Sequence, residues 1–215
     1  MGIFIENGGT YSGAGVLITE DYYKRDGTVE PCILLVRNSA SMLYTDFGGT
    51  YEKKYGSLQA LASAELREES RNLINVAPKH LVKCVDIPAG QHFYRAYTVK
   101  VNGISRKYFL HNKNKLDGAH AQGVYVSRCW RETDKIAHIP IAGINFAQLG
   151  VRGGVNLTTV DGESVRIDGR AKSVIYHIQT TLNEMITKKP IGTRRDMKLN
   201  VTEDFKNDTY SFIIN

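Results

Sequence analysis

Residues 48–73 read GGTYEKKYGSLQALASAELREESRNL. Two glycines follow a short apolar run, a polar loop comes next, and residues 57–72 have the composition of an amphipathic helix. Ser57 is a typical N-cap residue, and the leucines after it recur at helical spacing. This stretch therefore predicts a strand, a glycine-rich turn and a helix whose apolar stripe packs against a sheet.

Three glutamates stand late in the predicted helix, at Glu65, Glu68 and Glu69. Their spacing places them on one helical face, where like charges repel by about a few tenths of a kcal/mol per pair. The helix dipole also disfavours anions at this end. Two interpretations are open: a solvated acidic face neutralised by Arg67 and Arg71, or a site for a hard cation such as Mg²⁺, which prefers carboxylate oxygens and shares its shell with phosphates.

The same stretch resembles the Nudix box, whose helical part follows the pattern REUxEExGU with U an aliphatic residue. Residues 64–72 overlay that pattern, so that Glu65, Glu68 and Glu69 match the glutamates that bind the catalytic divalent metals in the family. Gly48 and Gly49 match the glycines that open the box, and the resemblance places the carbonyl of Gly49 among the metal ligands. Upstream, AGVLI and ILLVRN resemble the two strands that usually precede the box.

Three positions depart from the box. Ala64 stands where the family has an arginine that orients the neighbouring glutamate, Gly56 replaces a glutamate, and Arg71 replaces a late glycine. Arg67 or Arg71 is the nearest replacement for the missing arginine. These departures favour an alternative function, a Nudix-like module that binds a nucleotide or RNA, or regulates, without catalysis.

The resemblance implies an α+β fold, a Nudix-like α/β/α sandwich with a mixed central β-sheet between helices. We expect residues 1–188 to form this domain and residues 189–215 to be a C-terminal extension packed on it. The implied activity is hydrolysis of a diphosphate bond, with Mg²⁺ or Mn²⁺, in a nucleoside diphosphate linked to another moiety. Nucleotides, capped RNA and related polyphosphates are the implied substrates, so mRNA decapping is included.

In the implied mechanism, a metal held by the glutamates lowers the pKa of a bound water and a carboxylate removes its proton. The base is either a box glutamate or Glu132 from a later loop, with Asp134 and Asp117 as weaker candidates. For the substrate, the cationic residues that could meet phosphates are Arg37, Lys53 and Arg95, followed by Lys54 and Lys107. Glu52 is a further substrate-binding candidate, because it matches the loop glutamate often seen after the glycine pair. Strand alternation turns either Tyr94 or Arg95 towards the cleft. Aromatic residues that could stack on a base are Tyr44, Tyr51, Phe93 and Trp130.

The composition fits a globular protein of 215 residues, and a formal net charge of +6 favours anionic partners such as nucleotides, polyphosphates or RNA. Three widely spaced cysteines without a CxxC pair predict buried reduced thiols. No signal peptide or membrane-length apolar run is visible, so we expect an intracellular, cytoplasmic protein without membrane contact. Two roles are open for the C-terminal extension: a homodimer contact or a cover over the cleft.

Outside the box, the sequence predicts further elements from apolar runs and turn residues. Residues 106–111 fit either a strand or a short helix. The other predictions are strands at 13–18, 32–36, 43–47, 123–126 and 135–141, a strand pair at 81–87 and 92–101, and a second helix at 168–188.

Overall fold

A computed structural model describes residues 2–187, 201–204 and 209–214, the last two segments as backbone only. Its helices are α1 (Leu58–Glu69), α2 (Arg106–Ala121), α3 (Phe146–Leu149), α4 (Gly169–His177) and α5 (Gln179–Thr187). Its strands are β1 (Phe4–Glu6), β2 (Gly9–Tyr23), β3 (Val29–Asn38), β4 (Tyr44–Thr45), β5 (Phe47–Thr50), β6 (Ile74–Val76), β7 (Cys84–Ala89), β8 (His92–Lys100), β9 (Thr133–Pro140), β10 (Val155–Thr158), β11 (Ser164–Ile167), β12 (Val201–Asp204) and β13 (Thr209–Ile214).

Within the described residues, ten strands form one mixed sheet with the main order β10-β11-β4-β3-β2-β8-β7. The long strand β2 also pairs with β1 and β5, and β3 also pairs with β9. The β2–β8 and β11–β4 pairs are parallel, whereas β2–β3, β2–β5 and β3–β9 are antiparallel. The predicted α+β class with a mixed sheet is confirmed.

Alternating side chains along β2 separate two hydrophobic cores, one on each face of the sheet. Val16 and Ile18 pack in the core that contains the apolar stripe of α1 and Phe109 of α2, whereas Leu17 packs with α4 and α5 on the opposite face. Because strand side chains point alternately to the two faces, a continuous apolar strand indicates helices on both sides. The sheet lies between helical layers, as the α/β/α arrangement requires.

Helix α1 begins as the sequence predicts, since the Ser57 hydroxyl accepts a hydrogen bond of 3.1 Å from the backbone N–H of Ala60. Its end is unusual. Arg71 and Asn72 both adopt left-handed backbone conformations, with φ of 57° and 63°. These conformations are costly for a residue with a side chain, so the surrounding contacts must hold them in place.

The buried Arg71 side chain supplies those contacts. Its guanidinium donates to the backbone carbonyl of Thr133 at the start of β9, with a distance of 3.0 Å from Nε, and pairs with Asp117 of α2 at 3.1 Å. The Asn112 side chain donates to the Arg71 carbonyl at 2.9 Å. Arg71 therefore joins the end of α1 to β9 and α2, and it is not available to the glutamates.

Several predicted elements differ in the structure. Residues 106–111 belong to the sixteen-residue helix α2. The predicted strand at 123–126 was wrong: Gly123 has a φ of 84° after the helix, Tyr125 is 89% exposed, and the Val124 N–H bonds back to the Ala119 carbonyl of α2 instead of to a strand. The predicted helix at 168–188 divides at Ile178 into α4 and α5, which keeps the apolar side chains of both on the sheet.

The strand pair around residues 88–90 is present as β7 and β8 in antiparallel register. The hairpin β10–β11 was not predicted, because its strands are four residues long and their outward positions are polar or charged. The expectation of buried thiols holds for Cys32, but Cys84 is exposed on β7 and Cys129 is half-buried. In the described part of the chain, no helix has the length and apolar character needed to cross a bilayer.

The end of the chain adds backbone to the edge of the domain. Strand β13 pairs in parallel with β6 and antiparallel with β12. Strand β6 follows directly after the end of α1, so this small sheet lies beside the helix that carries the glutamates. Residues 189–200, 205–208 and 215 of the predicted extension lie outside the described residues.

Candidate active site

The glycine pair of β5 is in direct contact with two of the three glutamates of α1. The Glu69 carboxylate is buried and accepts a hydrogen bond of 2.7 Å from the backbone N–H of Gly48. The half-buried Glu65 carboxylate lies against Gly49, where an added Cβ would clash with both of its oxygens. The two glycines therefore allow α1 to lie close to β5, because only residues without side chains leave space there for the carboxylates.

Burial and like charge act together on the two glutamates. Burial, reinforced by the negative charge of Glu68, raises the pKa of Glu65 to about 7, and the charges of Glu132 and Glu52 add to the effect. Burial also raises the pKa of Glu69 well above its usual value, although the nearby Arg170 charge and the Gly48 N–H oppose this. The site thus concentrates negative charge in a partly dehydrated volume.

Three residues lie beneath the glutamates, and sequence reasoning missed two of them, Asp46 and Arg170. Asp46 is fully buried between β4 and β5, and Arg170 of α4 pairs with it at 2.7 Å while also donating to its backbone carbonyl at 3.0 Å. The Tyr94 hydroxyl donates to the other carboxylate oxygen of Asp46 at 2.8 Å. Arg170 lies 5.5 Å from the centre of the Tyr94 ring.

Arg170 connects this buried group to the acidic face. Its positive charge lowers the pKa of both Glu65 and Glu69, so it lies within electrostatic reach of each. No motif places Arg170 near the box, because it is about one hundred positions later in the chain. Asp46 had a weak signal, an acid inside an otherwise uncharged strand region, which indicates a buried charge with a partner.

The side-chain chemistry at Glu65 fits a divalent cation in part. Carboxylate oxygens are donors that hard cations prefer, and no hydrogen bond or ion pair is formed by the Glu65 carboxylate within the described residues. However, the described residues include no group of three His, Cys, Asp or Glu side chains already arranged to hold a metal. Glu65 and Glu68 would therefore hold the ion, with Glu69 fixed behind them by Gly48.

The three predicted candidates for the general base differ in their surroundings. Glu132 is half-buried, follows the short 3-10 turn Arg128–Arg131, and lies near enough for its charge to act on Glu65. Asp134 instead forms a bidentate pair with Arg37, at 2.8 and 2.6 Å. Asp117 is held by Arg71 and by Lys113. Both aspartates are thus hydrogen-bonded to basic side chains, whereas the Glu132 carboxylate lies no closer than 3.7 Å to the Nε of Arg128. Of the three candidates, Glu132 is the one whose charge acts on Glu65.

The predicted substrate-binding residues are divided between two places. Glu52 and Lys53 lie exposed in the loop after β5, and the charge of Glu52 acts on Glu65. Arg37 is occupied by Asp134. Arg95 lies on the sheet face opposite to Tyr94, where it pairs with Asp86 at 2.7 Å and with Glu6. The register of β8 thus turns Tyr94, and not Arg95, towards the glutamates.

The predicted aromatic residues are also mostly structural. Tyr44 and Tyr51 are buried in the two cores, and Phe93 is 39% exposed beside Tyr11. Trp130 is half-buried with the Arg67 guanidinium 5.7 Å from its ring centre. Since Arg67 belongs to the same helix as the glutamates, this contact places Trp130 beside α1.

The comparisons with known proteins give structural similarity only. No protein-family model matches the sequence, and no curated protein matches it. Similar solved structures include the Nudix hydrolase RenU of M. smegmatis, with 12% identity, coverage of 89% of this chain and 98% of that one, and a TM-score of 0.42.

Two further similar structures are an Ap4A hydrolase and a NUDIX domain complexed with ADP ribose. The C. elegans Ap4A hydrolase has 14% identity, coverage of 60% of this chain and 80% of that one, and a TM-score of 0.36. The NUDIX domain of Shewanella oneidensis NrtR, complexed with ADP ribose, has 9% identity, coverage of 83% and 88%, and a TM-score of 0.38. At these sequence identities and TM-scores, the similarity does not show an activity for this chain. The roles of its residues must be argued from its own geometry.

Proposed function

We propose that this protein is a metal-dependent hydrolase of the Nudix type, which cleaves a diphosphate bond in a nucleoside diphosphate linked to another group. The observation that supports this most is the position of Glu65, half-buried against Gly49 and surrounded by other carboxylates. Such a site is costly for a protein that never binds a cation there, because the like charges repel in a partly dehydrated space.

In the proposed mechanism, the residues of the chain bind and orient. Mg²⁺ or Mn²⁺ supplies Lewis acidity and a water of lowered pKa when bound. Glu65 and Glu68 hold the cation, the Gly48 N–H fixes the Glu69 carboxylate, and Arg170 limits the rise of the pKa of both buried glutamates. Glu132 is the proposed base, since it lies within electrostatic reach of Glu65 and in a loop that can face the substrate.

The test is release of phosphate and nucleotide from a panel of diphosphate compounds with Mg²⁺, Mn²⁺ or EDTA. The panel includes nucleotides, nucleotide sugars, dinucleoside polyphosphates and capped RNA. We expect metal-dependent turnover that Glu65→Gln and the double variant Glu68→Gln/Glu69→Gln abolish. The matched control is Glu163→Gln, which removes an exposed carboxylate from the β10–β11 hairpin and should leave turnover unchanged.

A second function has one observation in its favour. Because no three acidic side chains are already arranged as a metal site in the described part of the chain, a nucleotide-binding module without catalysis is the alternative. It predicts no turnover on any compound, together with ligand binding that neither EDTA nor the Glu68→Gln/Glu69→Gln variant weakens. Metal-dependent turnover of any compound in the panel would exclude it.

A further inference from the structure

A cavity of about 330 Å³ lies next to the acidic site and has a different chemical character. It is lined by Asn38, Ser39, Ala40, Arg128, Arg131 and Glu132. One wall is the turn after β3 and the other is the 3-10 turn before β9. The two walls are joined by the backbone hydrogen bond of 2.8 Å that the Ser39 N–H donates to the Glu132 carbonyl. Arg128 and Arg131 therefore line the same cavity as Glu132, the proposed base.

Arg131 is in an unusual electrostatic position. Its Nε is buried and has no hydrogen-bond partner among the described residues, and none of their carboxylates forms an ion pair with it. Burial lowers the pKa of Arg71, and the positive charge of Arg131 adds to this lowering. A cation that is partly removed from water beside a second cation is costly without an anion to pair with.

Arg128, which lines the same cavity, could bind an anion together with Arg131. Its side chain is 85% exposed, and its Nε lies 3.7 Å from a Glu132 carboxylate oxygen, which is too long for a hydrogen bond. The guanidinium can turn towards a ligand at little cost, since an exposed ion pair of this length contributes little stability. Arginine is well suited to phosphate, because its planar donors match the oxygens of the anion.

We propose that this cavity binds a phosphate group of the substrate beyond the diphosphate that is cleaved, so that the enzyme prefers substrates with three or more consecutive phosphates. The inference rests on the proposed function and narrows its substrate class. The cavity adjoins the helix of the glutamates, because the Arg67 guanidinium of α1 lies 5.7 Å from the ring centre of Trp130, the neighbour of Arg131. One polyphosphate chain can therefore extend from the acidic site to Arg131. Arg128 and Arg131 then bind the distal phosphate while Glu65 and Glu68 lie at the bond to be cleaved.

The experiment measures binding of tripolyphosphate and diphosphate, both as non-hydrolysable methylene analogues, by titration calorimetry in Mg²⁺, so that the cation stays at the glutamates and hydrolysis does not enter the readout. Wild type is compared with Arg131→Gln, Arg131→Lys, Arg128→Gln and the control Arg25→Gln in the exposed turn between β2 and β3. We expect tripolyphosphate to bind Arg131→Gln about tenfold more weakly, as for the loss of one charge-assisted hydrogen bond. Arg131→Lys should be intermediate, and Arg25→Gln should equal wild type. Diphosphate binding should change much less.

Three results would overturn the inference: no binding of tripolyphosphate to wild type, an equal loss in Arg25→Gln, or an equal loss for diphosphate. Arg128→Gln gives an independent readout on an exposed residue if Arg131→Gln does not fold. A parallel measurement with Mg²⁺ compares kcat/KM for a nucleoside triphosphate and diphosphate. Absence of turnover in that measurement would contradict the proposed hydrolase activity. The calorimetric binding result would then decide separately whether the cavity binds phosphate.

Discussion

Glu65 is the residue whose ionisation should be most visible in solution. Its carboxyl is half-buried, faces Gly49 and is surrounded by Glu68, Glu132 and Glu52. The sequence placed it on an acidic helical face, but periodicity alone does not show how deeply a side chain is buried. That information comes from β5, where the glycines let the helix approach.

Glu65→Gln should alter how stability depends on pH. The pKa of Glu65 is raised to about 7, so the folded state binds its proton more tightly than the unfolded chain does. The protein therefore loses stability as pH rises from the unfolded pKa near 4.5 to about 7, and we expect this loss to be roughly 1–3 kcal/mol. Urea unfolding in EDTA at a series of pH values should show a smaller loss for Glu65→Gln. The same slope in both proteins would contradict the raised pKa.

Gly49→Ala should damage the site through one methyl group. The added Cβ would clash with the Glu65 carboxylate, so the helix or the strand must shift, and we expect a destabilisation of about 1–3 kcal/mol. Metal-dependent turnover should fall as well. Thermal unfolding and turnover are compared with Gly118→Ala, where a Cβ meets nothing within 4 Å and the helix gains propensity. Equal stability of the two variants would show that the space at Gly49 is not required.

At the scale of the elements, α1 and α4 lie on opposite faces of the sheet, where α1 packs against β5 and α4 against β4. Arg170 of α4 pairs with Asp46, which lies between these two strands. The start of α1 was predictable, because Ser57 and the leucine spacing are local signals. The end of α1 was not. A positive φ at a helix end usually indicates glycine, but here Arg71 has that conformation. Its buried side chain bonds to β9 and α2, which lie far away in the sequence, and these bonds hold the conformation in place.

Arg71→Ala should be more destabilising than Arg71→Gly. Both variants lose the bonds to Thr133 and Asp117, but only glycine adopts a φ of 57° without steric cost. We expect a difference of about 1 kcal/mol in the free energy of unfolding, on top of a shared loss of several kcal/mol. Chemical denaturation of both variants measures it. Arg67→Ala, in the helical part of α1, is the control that should change stability little.

Arg170→Leu should weaken the attachment of α4 to β5. The substitution leaves Asp46 buried without its ion pair, and the expected destabilisation is about 3 kcal/mol. The double variant Arg170→Leu/Asp46→Asn should recover part of that loss, because the unpaired charge is removed as well. Stabilities of the single and double variants form a thermodynamic cycle. Simple additivity of the two losses would mean that the pair does not interact.

For the whole molecule, the sequence predicted the α+β class but not the complete sheet. Continuous apolar strands such as β3 indicate helices on both faces, and this fixes the class. The parallel pairing of β2 with β8 and the site residues Asp46 and Arg170 depend on contacts between distant segments. No local pattern contains that information, so these features were found only in the structure.

Removal of residues 189–215 should loosen the region beside the glutamates. Strand β6 follows α1 and pairs with β13, so truncation leaves the β6 edge without its partner. We expect a lower Tm and faster hydrogen exchange at the amides of β6, with the centre of β2 still protected. Unchanged exchange in β6 would mean that the C-terminal strands do not stabilise this edge.

The ion pair between Asp46 and Arg170 also has a consequence for synthesis of the protein. The glutamates and glycines are translated early, whereas Arg170 emerges from the ribosome only after more than one hundred further residues. During that interval Asp46 has no counter-charge, so the region around β5 cannot close and stays hydrated. The region around the glutamates is therefore expected to be completed among the last steps of folding, when α4 docks.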